Sequence, residues 1–343
     1  MNERDTTTNG TLLALASRMS AGAGRGRPRA IARLSGGKNN QVYRIDMDAG
    51  APLALKCYFN DPRDGRDRLS TEWNFLDRAW QSGIRAIPQP LLKDTPAQAA
   101  LYDFVPGRKL VASKLEAVHV DTAADFIRAI NLRPDPALPP ASESCFSIAD
   151  HLQIVERRLS RLAALDPRAP RVEEADRFIS ATLRPVWNAV RNRIARETRA
   201  LGLDMHSRLA DAECCLSPSD FGFHNALAAD DGRLVFLDFE YAGRDDPAKL
   251  VVDFFCQPEI PVPVRHLDRF IASLAEALKF DAAAMARCRL LLDACRIKWV
   301  CIMLNDFLPV GAARRSFAAT GEWNERCARQ IEKARTKIGE IVA

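Results

Sequence analysis

The sequence predicts an α+β fold in two lobes, a small antiparallel-sheet lobe with one key helix and a larger, mostly helical one. Three observations predict it. Residues 41–59 carry strand patterns, residues 69–80 carry one helical stripe, and from about residue 106 the apolar residues recur mainly at helical spacing. The chain has 343 residues, enough for two lobes with a large core.

At the N-terminus, Leu12, Leu13, Leu15 and Met19 suggest a short helix packed on the small lobe. Residues 20–33, SAGAGRGRPRAIAR, combine Gly22, Gly24 and Gly26 with four arginines. Neither a preceding strand nor a following helix start is evident. The stretch therefore reads as a mobile basic linker, not a phosphate cradle or a nucleic-acid patch, which makes residues 1–33 a helix and linker.

Ser35-Gly36-Gly37-Lys38-Asn39-Asn40 is rich in turn residues. In the next segment Tyr43, Ile45 and Met47 alternate with Arg44 and Asp46, as in a half-buried strand. Asp48-Ala49-Gly50-Ala51-Pro52 turns the chain into Leu53-Ala54-Leu55-Lys56-Cys57-Tyr58-Phe59, where Lys56 interrupts an otherwise apolar strand. Leu69, Trp73, Leu76 and Trp80 then recur at i, i+4, i+7 and i+11, the stripe of an amphipathic helix. Glu72 lies on that inward face. A carboxylate there is costly unless paired, and Lys56 is the one interior cation the preceding strand offers.

The remainder reads as helices. Phe126, Ile127 and Ile130 form one stripe, and Arg133–Pro140 is a proline-rich loop. Ile148, Leu152, Val155, Leu159 and Leu162 form the next stripe. Phe178, Leu183, Val186, Trp187, Val190 and Ile194 imply a long helix kinked at Pro185. Further helices are expected near 264–279, 282–307 and 313–340.

One hairpin interrupts this pattern. Asp231-Gly232 lies between Ala226-Leu227-Ala228 and Leu234-Val235-Phe236-Leu237, which favours a two-residue type I′ turn. That register pairs Asp230 with Arg233 and sets Asn225 opposite Asp238, with Cβ atoms roughly 4.5–5.5 Å apart. Two oxygen-bearing side chains so placed can share a hard cation. Asp220, five residues before Asn225 on the feeding loop, can reach a substrate hydroxyl beside that ion. Taken alone, the hairpin reads better as a surface loop with solvated polar ends.

The ordered set decides the matter. Gly36-Gly37-x-x-Asn40-x-Val42-Tyr43, Lys56, Glu72, Leu101-Tyr102-Asp103-Phe104-Val105-Pro106-Gly107, Asp220-x-x-x-x-Asn225, and Asp238-Phe239-Glu240-Tyr241-Ala242-Gly243 followed by Asp246-Pro247 resemble the motifs of one group. That group is the aminoglycoside phosphotransferases and choline kinases, small-molecule kinases of protein-kinase-like fold. The resemblance covers residues 34–260 or so. It implies ATP and Mg²⁺ as cofactors, a nucleotide-binding lobe at 34–105 and a catalytic and substrate-binding lobe at 106–343. Main-chain N–H groups around Gly36, Gly37 and Asn40 would lie over the triphosphate. Lys56, set by Glu72, would contact its α- and β-phosphates, and Asp103 and Val105 would sit in the adenine hinge. Asn225 and Asp238 would hold Mg²⁺, and Asp220 would take the acceptor hydroxyl's proton.

Two positions depart from the group's pattern. Pro218, in Ser217-Pro218-Ser219-Asp220, stands where the group normally has a loop-bracing His, and proline can brace instead by fixing φ. Leu250 stands where an Asp is usual, with Asp253 one turn later. Glu240, Tyr241, Asp245, Trp299, Asp306 and Trp323 are candidate acceptor-wall residues, and acidic and aromatic groups together would suit an amine. His224 reads as loop packing or substrate contact. The acceptor stays open among amino alcohol, aminoglycoside and sugar. The alternative function is a catalytically degenerate kinase fold that binds nucleotide or a partner. A protein-serine kinase is disfavoured, because no APE-like segment or long activation loop separates Asp238 from Asp246-Pro247.

Bulk properties suit a cytoplasmic enzyme with a small-molecule partner. The net charge of +5 does not argue for nucleic acid, and no apolar run approaches the ~18 residues of a membrane span. The nine cysteines are scattered without a C-x-x-C, which fits buried thiols better than disulfides or zinc ligands. No signal-peptide core is evident at the N-terminus.

Overall fold

A computed structural model describes residues 3–34, 40–60, 65–133, 138–309 and 322–342; Gly36 and Gly37 lie outside them. The chain forms two compact units, residues 1–109 with 225–242, and residues 110–224 with 243–343. The single boundary expected at 105/106 thus becomes crossings after 109, 224 and 242. The reason is backbone pairing: the short strand Arg108–Lys109 bonds to the hairpin strand Ala226–Ala228, which bonds to Leu234–Phe236.

The first unit is built on a five-stranded antiparallel sheet of β1 (Pro28–Arg33), β2 (Gln41–Met47), β3 (Leu53–Cys57), β4 (Pro90–Asp94) and β5 (Ala99–Asp103), in the order β1-β2-β3-β5-β4. Residues 28–33 are therefore an edge strand, not the linker expected. Their exposed Arg29 and Arg33 suit an edge, where charge discourages further pairing. Helix α1 (Glu3–Gly22) packs Ala16 and Met19 against Tyr43, Ile45, Leu55 and Leu101. The helix expected from Leu12–Met19 is thus present, and longer.

Helix α2 (Arg68–Gln81) starts where the Asp67 carboxylate accepts from Ser70 N at 2.9 Å. It ends at Gly83, φ 86°, with Ile84 N donating back to Ala79 O, the Schellman pattern that left-handed glycine permits. Its buried face is Arg68, Leu69, Glu72, Phe75, Leu76 and Ala79, while Trp73 and Trp80 lie at the margins. The stripe is rotated from the expected one, and Glu72 sits at its centre.

The second unit is helical: α3 (Ala117–Asn131), α4 (Ile148–Arg161), α5 (Val172–Phe178), α6 (Arg184–Ala200), α7 (Pro247–Cys256), α8 (Leu267–Leu274), α9 (Ala282–Leu290), α10 (Leu292–Met303) and α11 (Trp323–Val342). Between α5 and α6 the chain makes a π-helical segment, Ile179–Leu183. Pro185 follows directly; it lacks an N–H and crowds the preceding turn, so the wider turn replaces the expected kink. The helix expected over 282–307 breaks at Leu291 into α9 and α10. In α10, Ile297, Val300 and Cys301 are buried, and the helix packs on α4, α6, α7 and α11. All of α7 is buried. Asp246 caps its N-terminus by accepting from Ala248 N at 2.8 Å, and Pro247 takes the first helical position. Seven of the nine cysteines are buried. Among the described residues no helix is long and apolar enough to cross a membrane.

Candidate active site

In the first unit, adjacent strands and α2 bring one lysine into a ring of acids. Lys56, opposite Val42 on β2 and Ala100 on β5, is 8% exposed. Its Nζ donates to Glu72 Oε2 and to Asp238 Oδ1, both at 2.6 Å. The pairing of Lys56 with Glu72 expected from the sequence is present. Burial lowers the amine's affinity for its proton most, but Asp238, Glu72 and Glu240 together outweigh it and hold the pKa well above the ordinary lysine value. Burial raises the Glu72 pKa, Lys56 opposes this, and Asp238 adds to the rise. Glu72 is also held by Tyr58 Oη at 2.8 Å and by Phe239 N at 3.3 Å, and Tyr58 Oη meets Tyr102 Oη at 2.7 Å. Sequence reading missed both tyrosines, although Tyr58 is two residues from Lys56 on the same strand face.

Asn40 binds in two directions. Its Oδ1 accepts from Phe59 N at 3.1 Å, and its Nδ2 donates to Glu240 Oε2. Arg68 Nε lies 3.9 Å from the same Glu240 oxygen, and Arg68 Nη1 donates to Phe59 O at 3.2 Å. Glu240 is 2% exposed. It braces Asn40, just before β2, and is corrected from an acceptor-wall residue, because its carboxylate is committed inside the first unit. Tyr241 lies beside it, with the Arg66 guanidinium 5.4 Å above its ring. Asp103 ends β5, paired to Arg25 at 3.0 Å, and Val105 follows two residues later.

The hairpin differs from the expected register. Ala226, Leu227 and Ala228 pair with Phe236, Val235 and Leu234. Ala229 N donates to Arg233 O and Gly232 N to Ala229 O, each at 2.9 Å, and Gly232 has φ 82°. Asp230-Asp231-Gly232 is thus a three-residue loop of the turn-plus-left-handed-glycine kind. A one-residue slip follows, so Asn225 faces Leu237, whose N donates to Asn225 O at 2.8 Å. Asp238 lies just past that pair at φ 65°, where the chain leaves the ladder. The direct opposition of Asn225 and Asp238 is incorrect, but both occupy the same end of the hairpin. Their side chains offer hard oxygens. Among the described residues no group of three or more His, Cys, Asp or Glu could hold a metal.

In the second unit, the loop after the strand Cys215–Ser217 carries Asp220. Ser219 N donates to Ser217 Oγ at 3.1 Å and Asp220 N to Pro218 O at 3.0 Å, with Ser219 at φ 68°. A bond spanning two residues around a positive φ is the rare classic γ-turn, a strained device found at functional positions. Phe221 and Phe223, both buried, anchor the loop: Phe221 stacks on Phe126 and Phe254, and Phe223 packs edge-on to Phe254. The Asp220 side chain stays 34% exposed, and His224 Nε2 lies 3.3 Å from its Oδ1.

Asp245 requires correction. It is 0% exposed and accepts from Cys145 N, Asp246 N and Lys249 Nζ, each at 2.9 Å, so it is an internal anchor and not a wall. Asp253, one turn after Leu250, binds Lys249 at 2.9 Å and also pairs with Lys298. Asp306 lies 3.5 Å from Arg326 Nε, and its carbonyl accepts from Trp323 Nε1 at 3.4 Å, so this pair ties α11 to the body of the unit. Trp299 on α10 is half-buried, with its Nε1 buried and without a partner among the described residues.

A profile of the phosphotransferase enzyme family matches residues 30–291. No match appears among curated protein sequences. Among solved structures the chain is similar to a spectinomycin phosphotransferase bound to ADP and spectinomycin, at 14% identity and TM-score 0.61, over 96% of this chain and 98% of that one. It is similar to a choline kinase from Streptococcus pneumoniae at 13% identity and TM-score 0.57, over 98% and 100%. A macrolide 2′-phosphotransferase from Brachybacterium faecium matches at 15% identity and TM-score 0.56, over 90% and 96%. These likenesses show the protein-kinase-like fold, a small antiparallel sheet with a helical portion. With the profile covering most of its length, the chain belongs to the phosphotransferase enzyme family and is a small-molecule kinase.

Proposed function

We propose that this kinase moves the γ-phosphoryl group of ATP to a hydroxyl of a small molecule by direct transfer. The observation that carries the reading is Lys56 held between Glu72 and Asp238 at 2.6 Å to each. Such a lysine is a fixed positive charge for the α- and β-phosphates, with Glu72 locked in turn by Tyr58 and Phe239 N. Asn225 and Asp238 would hold Mg²⁺, which when bound neutralises charge developing on the phosphate oxygens. Asp220 orients the acceptor hydroxyl and accepts its proton as the new O–P bond forms and ADP leaves. Asp103 and Val105 serve the adenine, and the turn around Gly36, Gly37 and Asn40 serves the triphosphate.

The acceptor class is an amino alcohol, an aminoglycoside or a sugar. Of the acidic wall candidates, Glu240 and Asp245 are buried and bonded to Asn40 and Lys249, and Asp306 is paired with Arg326, so they supply no argument for a cationic acceptor. Half-buried Tyr241 and Trp299 remain as aromatic contacts for any of the three classes. The retained lysine–carboxylate set disfavours the degenerate, non-catalytic alternative. The test is Mg-ATP turnover with a panel of amino alcohols, aminoglycosides and sugars, using the wild type and Asp220→Ala. Acceptor-dependent ADP release that disappears in Asp220→Ala, with nucleotide binding kept, is expected. Nucleotide-induced stabilisation without turnover across the panel would select the binding-module reading instead.

A further inference from the structure

We propose that His224 is the positioning residue of Asp220, a role that rests on reading Asp220 as the acceptor's base. The imidazole sits four residues after the carboxylate with Nε2 3.3 Å from Oδ1, while Asp220 itself is one-third exposed. Nε2 is the nitrogen aimed at the carboxylate. The His224 Nδ1 is buried with no partner among the described residues. An ionised carboxylate only accepts, so the proton belongs on Nε2, where it can be donated to Asp220. That donation engages Oδ1 and directs the other carboxylate oxygen to the acceptor hydroxyl.

The loop is built around this ring. A Cβ placed on Gly222 would lie 2.8 Å from His224 Nδ1 and 2.9 Å from Gln257 Cγ. Gln257 cannot yield: it is 1% exposed, and its Oε1 accepts from Glu259 N at 3.0 Å and Ile260 N at 3.2 Å. Any side chain at 222 therefore displaces the imidazole, and only glycine lets the ring reach Asp220. Phe221 and Phe223 on either side are locked into the aromatic core, which fixes the backbone that carries both side chains. The group's usual bracing histidine precedes the Asp; Pro218 stands there, and His224 braces from the other side.

The experiment compares His224→Phe, His224→Gln and Gly222→Ala with the wild type, measuring kcat, both KM values, nucleotide affinity and the thermal midpoint. Phenylalanine keeps the ring and removes the donor; glutamine restores an N–H near the Nε2 position. His224→Phe and Gly222→Ala should each lower kcat by about 10- to 100-fold, the scale of misplacing a catalytic group. Nucleotide affinity should stay near wild type in both, the thermal midpoint should stay near wild type in His224→Phe, and His224→Gln should recover most of the rate. Two results overturn the proposal: His224→Phe retaining wild-type kcat, or Phe and Gln variants falling together with loss of the thermal midpoint, which marks a packing role. A wild type that turns over no acceptor fails the phosphotransfer reading itself, a distinct result from an active wild type indifferent to residue 224.

Discussion

Around Lys56 in the first unit, the carboxylates of Glu72, Asp238 and Glu240 meet two cations, Lys56 and Arg68. Around α7 in the second unit, Asp245, Asp246 and Asp253 meet Lys249, Lys298, Arg287 and His151. Both clusters are buried, but they are finished differently. Every acid of the second cluster is at most 6% exposed and is matched by a cation. Among the described residues the first has three acids to two cations, and the Asp238 side chain is 40% exposed. A closed, matched network holds helices together, whereas one with surplus acid and an open edge is suited to a cationic cofactor and an anionic nucleotide. The family's motif residues fall in both, so the motif alone does not separate chemistry from scaffolding.

The largest effect expected is on rate. Asp220→Ala should lower kcat by about 10²- to 10⁴-fold, the range for losing a general base, with the urea midpoint unchanged. Lys56→Met should lower kcat/KM by about 10²- to 10³-fold, as for a lost electrostatic contact, while the protein stays folded. Burial already favours the neutral form of Glu72, and losing Lys56 removes the group that opposes it. A Lys56→Met protein that unfolds would erase the distinction between the clusters.

The matched cluster should show the reverse. Asp253→Ala leaves Lys249 and Lys298 buried without that carboxylate and should cost about 3–5 kcal/mol in urea unfolding. Burial alone would raise the pKa values of Asp246 and Asp253. Instead, His151 and Arg287 on the first, and Lys249 and Lys298 on the second, hold them below the ordinary aspartate value. A depressed folded-state pKa contributes stability that is present above the unfolded value of about 4 and lost as pH falls through the folded one. Urea midpoints should therefore drop below about pH 4, and Asp253→Asn should flatten that fall. The smallest effect belongs to the hairpin. Gly232→Ala, at φ 82°, should cost about 1 kcal/mol in the same assay with kcat unchanged.

What could be read from the chain beforehand followed the strength of local signals. Lys56 in an apolar strand and Glu72 in an apolar helix face each broke a pattern, and their pairing needed no further information. Asp231-Gly232 suits both a two-residue and a three-residue loop, and the choice depends on backbone bonds such as Ala229 N to Arg233 O. Strand β1 was hidden because its arginines, and the glycines just before it, resemble a linker, while its partner β2 and cover α1 are supplied by tertiary packing. Asp245 carried a signal that went unused: Asp245, Lys249 and Asp253 recur at i, i+4 and i+8, the spacing of ion pairs along a helix face. The spacing of Asp220 and His224 was equally visible, but their meeting depends on the tight turn of the chain between them, at Gly222 and Phe223–Asn225.

Thermal unfolding with increasing Mg-ATP, on the wild type and on Asp238→Asn, tests the central reading most directly. The wild-type midpoint should rise with nucleotide only when Mg²⁺ is present, by about 2.7 kcal/mol of stabilisation at 100 times the dissociation constant, and Asp238→Asn should lose most of that rise. Equal nucleotide-dependent shifts in both proteins, or none in the wild type, would contradict a triphosphate site built on Lys56 and Asp238.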